Sequence, residues 1–102
     1  MSYYLIGAID IEDSAEYDRY VEAAGHSMIG HSAEPLAVDD DPTLLEGKLP
    51  AGRIILMRFE TEAEMMAWYR SDAYQAAMKH RHKGARTGFL VAVKGGYNPA
   101  GE

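Results

Sequence analysis

An α+β fold, with one antiparallel sheet and helices on a single face, is predicted by three observations. The chain runs one unit twice: an apolar strand enters a helix at a clear cap, and the chain returns to an apolar strand. The first unit covers Tyr3 to about Val38 and the second Arg53 to about Val93. Two such units in 102 residues make one domain, expected to span residues 1–95, with a flexible tail over 96–102. Finally, the runs Tyr3–Ile11 and Arg53–Phe59 are apolar on both parities, the pattern of strands covered on both faces.

Each element has its own signal. In the first strand, Asp10 is the one charged interruption. Asp13 or Ser14 caps the helix that follows, with Glu16 in its first turn, where the helix dipole favours an acid. Tyr17, Tyr20, Val21, Ala24 and Met28 recur at helical spacing. Gly25 weakens the interior of this helix, and Gly30 is expected to end it. Pro35 to Val38 reads as a short strand, stopped by the turn Asp39-Asp40-Asp41-Pro42. Thr43 to Glu46 is expected to extend a hairpin arm before Gly47 and Pro50. After the Arg53–Phe59 strand, Thr61-Glu62-Ala63-Glu64 has the form of a capping box. Its helix carries Met65, Trp68 and Tyr69. Ser71-Asp72 marks a break and a second cap, and Tyr74, Ala77, Met78 and Arg81 continue at helical spacing. Gly84 and Gly88 frame the exit to a last strand over Phe89–Val93. The order is strand–helix–strand–strand–helix–strand. Right-handed crossovers then give the sheet order 4-1-3-2, a ferredoxin-like βαββαβ fold.

Composition narrows the function. A net charge of −6 argues against a nucleic-acid binder, since phosphate contacts need a basic surface. Without cysteine there is no disulfide, thiolate metal site or cysteine nucleophile. No run approaches the ~20 apolar residues that span a bilayer. The N-terminus lacks a basic segment followed by an apolar core, so no signal peptide is read and a cytoplasmic location is expected. If the helices cover one face of the sheet, the other apolar face needs a partner, and a second copy is the simplest one. The partner expected is therefore the chain itself, as a homodimer, with no nucleic acid and no membrane.

The elements Leu45-Glu46-Gly47, Pro50, Gly52-Arg53, Phe59, Ala67-Trp68-Tyr69, Ser71 and Tyr74 together resemble the family known as domain of unknown function 1330. The resemblance runs from the Tyr4-Leu5-Ile6 strand to the last strand and leaves only the tail outside. It implies a ferredoxin-like protomer of the dimeric α/β-barrel superfamily, a dimer, and no established activity. Wider relatives include cofactor-free monooxygenases, lactone isomerases and haem-dependent enzymes, and fold alone does not choose among them.

Candidate site residues each carry a bland alternative. Asp10 shares its parity with Tyr4, Ile6 and Ala8. A carboxylate there is a candidate general base facing a cavity, or else a strand-end partner of Arg53. Arg53 and Arg58 bracket their strand on opposite parities. Either is a candidate for binding a carboxylate or enolate, and the alternative is a salt bridge to Asp10, Glu60 or Glu46. Trp68, Tyr69 and Tyr74 are candidate pocket walls with polar handles, or else core. His26 is the histidine preferred as an auxiliary acid or base. His26 with His31, and His80 with His82, lack the i, i+4 spacing of helical metal pairs, so no metal site is read. The cations of Lys79 to Lys83, with Arg86, complement a helix C-terminus. The leading reading is a homodimer that binds a small hydrophobic or weakly acidic molecule, between sheet and helices or at the dimer interface. Such a protein is a candidate cofactor-free enzyme of monooxygenase or isomerase type, with no cofactor called for. The alternative is a non-catalytic structural or stress/regulatory dimer with a filled interior.

Overall fold

The computed structural model describes residues 2–100. The first residue of the expected domain and the last two of the expected tail lie outside the described residues. The elements are β1 (Tyr3–Ile11), α1 (Ser14–Ser27), β2 (Glu34–Asp39), β3 (Arg53–Phe59), α2 (Glu62–Tyr69), α3 (Asp72–Gly84) and β4 (Ala85–Lys94). The sheet order is β2-β3-β1-β4 with every neighbouring pair antiparallel, as the crossover argument requires. No helix among the described residues is long and apolar enough to cross a membrane.

The caps are those the sequence encodes. Asp13 caps α1 by accepting from the Glu16 amide, and Thr61 caps α2 by accepting from the Glu64 amide. Ser71 makes the break expected there. Its hydroxyl donates to the Trp68 carbonyl at 2.7 Å and accepts from the Tyr74 amide at 3.2 Å, ending α2 and starting α3 in one residue. The topology is therefore βαββααβ.

Three boundaries differ from expectation. Helix α1 stops at Ser27, before Gly30, because the amides of Met28 and Ile29 turn back to the carbonyls of Gly25 and His26. Residues 43–46 form no strand. The Asp39 carboxylate accepts from the Asp41 amide at 2.9 Å and turns the chain out of the ladder, and Pro42 has no N–H with which to rejoin it. Strand β4 begins at Ala85, with no loop after α3. Its register skips Gly88, since Ala8 pairs with Phe89 and Ile9 with Thr87, so Gly88 is the extra residue of a bulge. A side chain there would press on the Ala8 carbonyl and on Pro50.

The absence of a loop makes Gly84 structurally demanding. Its carbonyl accepts from the amides of both Glu12 and Asp13, at 2.8 and 3.0 Å, and joins the end of α3 to the start of α1. A Cβ at Gly84 would lie 2.9 Å from the Tyr17 amide nitrogen, closer than backbone tolerates.

The core sits between the helices and one face of the sheet. Leu5, Met57 and Phe59 meet Met65, Trp68, Tyr74 and Ala77, and a smaller cluster joins Ile9, Tyr17 and Ala85. The register puts Tyr4, Ile6 and Ala8 on the opposite face, beside Arg58, Leu56 and Ile54 on one side and Val93, Val91 and Phe89 on the other. Apart from Arg58 and Asp10 that face is apolar, and within the protomer Val91 and Val93 stay exposed.

Candidate functional site

Helix α1 crosses the sheet above β2 and β3, and where it faces them it carries the small residues Ala24 and Gly25. The space they leave is a cleft of about 410 Å³, walled by Tyr17, Tyr20, Met28, Pro35, Val38 and Ile55, with Arg53 the only charged residue on its wall among the described residues. A second lobe of about 210 Å³ adjoins it, sharing Tyr17, Val21 and Arg53 and adding Ile11, Ser14 and Asp18. Largely apolar concavities of this size with a few polar groups are the usual form of small-molecule sites.

Arg53 is fixed at the junction of the lobes. Its Nε and Nη2 donate to the two oxygens of Asp40, at 2.5 and 2.9 Å. Its guanidinium carbon lies 5.4 Å from the centre of the Tyr17 ring, a cation–π contact. The pair with Asp40 raises the Arg53 pKa further, and the bond from Arg53 holds the Asp40 carboxyl below its ordinary value. Burial pushes the Tyr17 phenol up, against the pull of Arg53 and Arg81. Tyr20 is raised more strongly, again chiefly by burial, and its hydroxyl lies 2.9 Å from that of Tyr74. Both tyrosines are therefore neutral phenols at physiological pH.

Behind Tyr20 stands Arg81, 3% exposed. Its Nη1 donates to Thr87 Oγ1 at 2.6 Å, its Cζ is 5.8 Å from the Tyr20 ring centre, and its Nε is buried without a hydrogen-bond partner. No carboxylate pairs with it among the described residues.

The residues singled out from sequence are dispersed. Asp10 lies on the sheet face away from the helices, with the Gly52 amide donating to Oδ1 at 2.6 Å and Arg86 paired to Oδ2. Its strand-end partner is thus Arg86 and not Arg53, because the register sets Ile9 opposite Arg53 and turns that arginine toward α1. The Gly52 amide first, and Arg86 second, hold the Asp10 pKa below the ordinary carboxylate value. A carboxylate with a depressed folded pKa stabilises the fold above its unfolded pKa, and that stability fades as pH falls through the folded value. The urea midpoint of Asp10→Asn should therefore lie below that of the unsubstituted protein at pH 7, with the gap narrowing toward pH 3. A gap independent of pH would remove the charge from the explanation.

His26 is exposed on α1 in a shallow depression with Val21 and Ile29, across the sheet from Asp10. Arg58 lies on the open face, donating to Ser2 Oγ at 2.8 Å and to Glu34 at 3.1 Å. Trp68 and Tyr74 are each 1% exposed, with ring centres 4.1 Å apart, and the Trp68 indole donates to Ser27 Oγ at 3.0 Å. Tyr69 is half-buried and donates to Met78 Sδ at 3.7 Å. Of the seven, Arg53 alone lines the main cleft. In the sequence Tyr17 and Tyr20 stand out only as members of a helical stripe, and Arg81 only as a member of a stripe and of the cationic helix end. The signal for them was polar tips and a cation at positions whose spacing points inward.

The four-stranded sheet in this order, with three helices on one face, defines a ferredoxin-like α+β protein. Residues 2–95 match the model of the family described as domain of unknown function (DUF1330), and the chain belongs to that family. No curated protein matches it. Among solved structures, RPA0582, a protein of unknown function from Rhodopseudomonas palustris, is 14% identical, with 95% of this chain and 84% of that one covered and a TM-score of 0.75. SnoaB, a cofactor-independent oxygenase from Streptomyces nogalater, is 5% identical with 96% of each chain covered and a TM-score of 0.63. HapK from Hahella chejuensis is 14% identical, with 94% and 97% covered and a TM-score of 0.57. At these identities the likeness is one of fold.

Proposed function

We propose that the protein is a homodimer that binds a small hydrophobic molecule in the cleft between α1 and the β2–β3 strands. The observation that carries this reading is the cleft itself, apolar along its walls and provided with a phenol and a guanidinium at one end. The similarity of fold to a cofactor-independent oxygenase fits a cofactor-free enzyme acting there on a weakly acidic substrate. In such a reaction Asp10 and His26, on opposite sides of the sheet, do not serve one centre within a protomer. Tyr17 and Arg53 do. The dimer follows from the uncovered apolar face that carries Tyr4, Ile6, Leu56 and Val91.

Nile red, a neutral apolar dye, tests the cleft. Gly25 lines it, and a Cβ at that position meets nothing within 4 Å, so Gly25→Leu fills space without displacing its surroundings. Leucine for glycine inside a helix should also stabilise the fold by about 0.8 kcal/mol. The expected result is a raised Tm together with at least about tenfold weaker dye binding. Dye binding that survives Gly25→Leu would place the dye elsewhere, on the sheet face, and sink the cleft reading.

A further inference from the structure

The Tyr17 hydroxyl has donors beside it but no protein acceptor among the described residues. The residue is 3% exposed and lines both lobes of the cleft. The charged groups that act on it are Arg53, beside its ring, and Arg81, one residue layer deeper. A guanidinium donates and never accepts, so neither arginine can take the Tyr17 hydroxyl proton. Among the described residues no other group accepts it.

Arg81 shows the same surplus independently. A buried cation ordinarily has an anionic partner, since the cost of desolvating it is several kcal/mol otherwise left uncompensated. Arg81 has none among the described residues, and its Nε–H points at no acceptor. It lies against the Tyr20 ring, which lines the apolar lobe. Through that low-dielectric layer its field reaches the cleft with little screening. Two carboxylates stand nearby. Asp40 is committed to Arg53 through both oxygens, and Asp18 is an exposed residue of the smaller lobe. Neither supplies an acceptor inside the apolar lobe.

We infer that the cleft takes an apolar molecule carrying one anionic oxygen, a carboxylate or an enolate, and that the Tyr17 hydroxyl is the group that donates to it. This deepens the reading of the cleft as a small-molecule site and rests on it. The neutral phenol gives a charge-assisted hydrogen bond, the remaining N–H groups of Arg53 lie beside it, and Arg81 supplies the long-range attraction. Tyr17 thereby becomes the specificity-determining residue: it reads an acceptor, while the walls read only apolar bulk.

Competition against Nile red tests this with two probes of one shape and opposite charge, naphthoate and naphthylmethylammonium. Naphthoate should displace the dye at about tenfold or lower concentration than the ammonium. Tyr17→Phe keeps the buried ring and removes only the hydroxyl, so the ratio between the two probes should fall by about tenfold, whatever happens to the dye itself. Equal displacement by the two probes, or a preference for the ammonium, overturns the inference but leaves the cleft standing. So does a preference for naphthoate that Tyr17→Phe leaves intact. Dye binding unaffected by Gly25→Leu would overturn the cleft and this inference together. If Tyr17→Phe should fail to fold, the two-probe comparison on the unsubstituted protein still decides whether the cleft selects an anion.

Discussion

Replacing Trp68 by alanine should cost about 3–5 kcal/mol of folding stability, the range found when a large buried aromatic is cut back to a methyl group. The indole is the centre of the main core. Its ring centre lies 4.1 Å from that of Tyr74, 5.3 Å from that of Phe59 and 6.4 Å from that of Tyr69, each pair tilted. Truncation would also strip Ser27, itself buried, of the N–H that its hydroxyl accepts, so the end of α1 would lose its tie to α2. In a domain of this size the loss corresponds to a fall in Tm of roughly 15–20 °C. Trp68 is the only tryptophan, so circular dichroism and not fluorescence must follow the melt. Trp68→Phe, which keeps a ring but not the N–H, should cost clearly less. A loss below about 1 kcal/mol for Trp68→Ala would mean that Trp68 is a pocket wall with space around it, the role the sequence left open for it.

The second large effect concerns association. Ile6 lies at the middle of the uncovered sheet face, opposite Leu56 on one side and Val91 on the other. In the proposed dimer a two-fold axis makes each contact twice, so Ile6→Asp would bury two unpaired carboxylates. The dimer dissociation constant should rise by at least about 100-fold, with the protomer's helical signal retained. Light scattering behind a sizing column reads both states. Ile29→Asp, exposed in the turn that follows α1, should leave the dimer intact and serves as the control. A monomeric unsubstituted protein at micromolar concentration would remove the dimer from the proposal.

The fold was legible because local and global signals agree. Asp13, Thr61 and Ser71 mark three helix starts by chemistry that needs no tertiary context, and the two central strands announce themselves as unbroken apolar runs. Parity alone put Asp10 on the face with Ile6 and separated Arg53 from Arg58. The ion pairs were not legible. Asp40 reaches Arg53 only because the chain turns at Asp39, and Arg86 reaches Asp10 only because β4 starts early and carries a bulge. Both depend on loop and register geometry that no spacing rule encodes. Nor was the cleft legible, since it arises from what Ala24 and Gly25 lack. Arg81 is a different case. Its position three and four residues on from Met78 and Ala77 placed it on the buried stripe, but its neighbours Lys79, His82 and Lys83 drew it into a surface cluster.

Helix α1 is clamped along its whole length, by the Gly84 carbonyl at its start, by the pairing of Glu16 with His80, by Tyr20 against Tyr74, and by Ser27 under Trp68. Strand β2, forming the other wall of the cleft, is a sheet edge with an irregular register, held from one side only. Any breathing that admits a guest is therefore easier on the side of β2, the wall with fewer ties, than on the side of the helix.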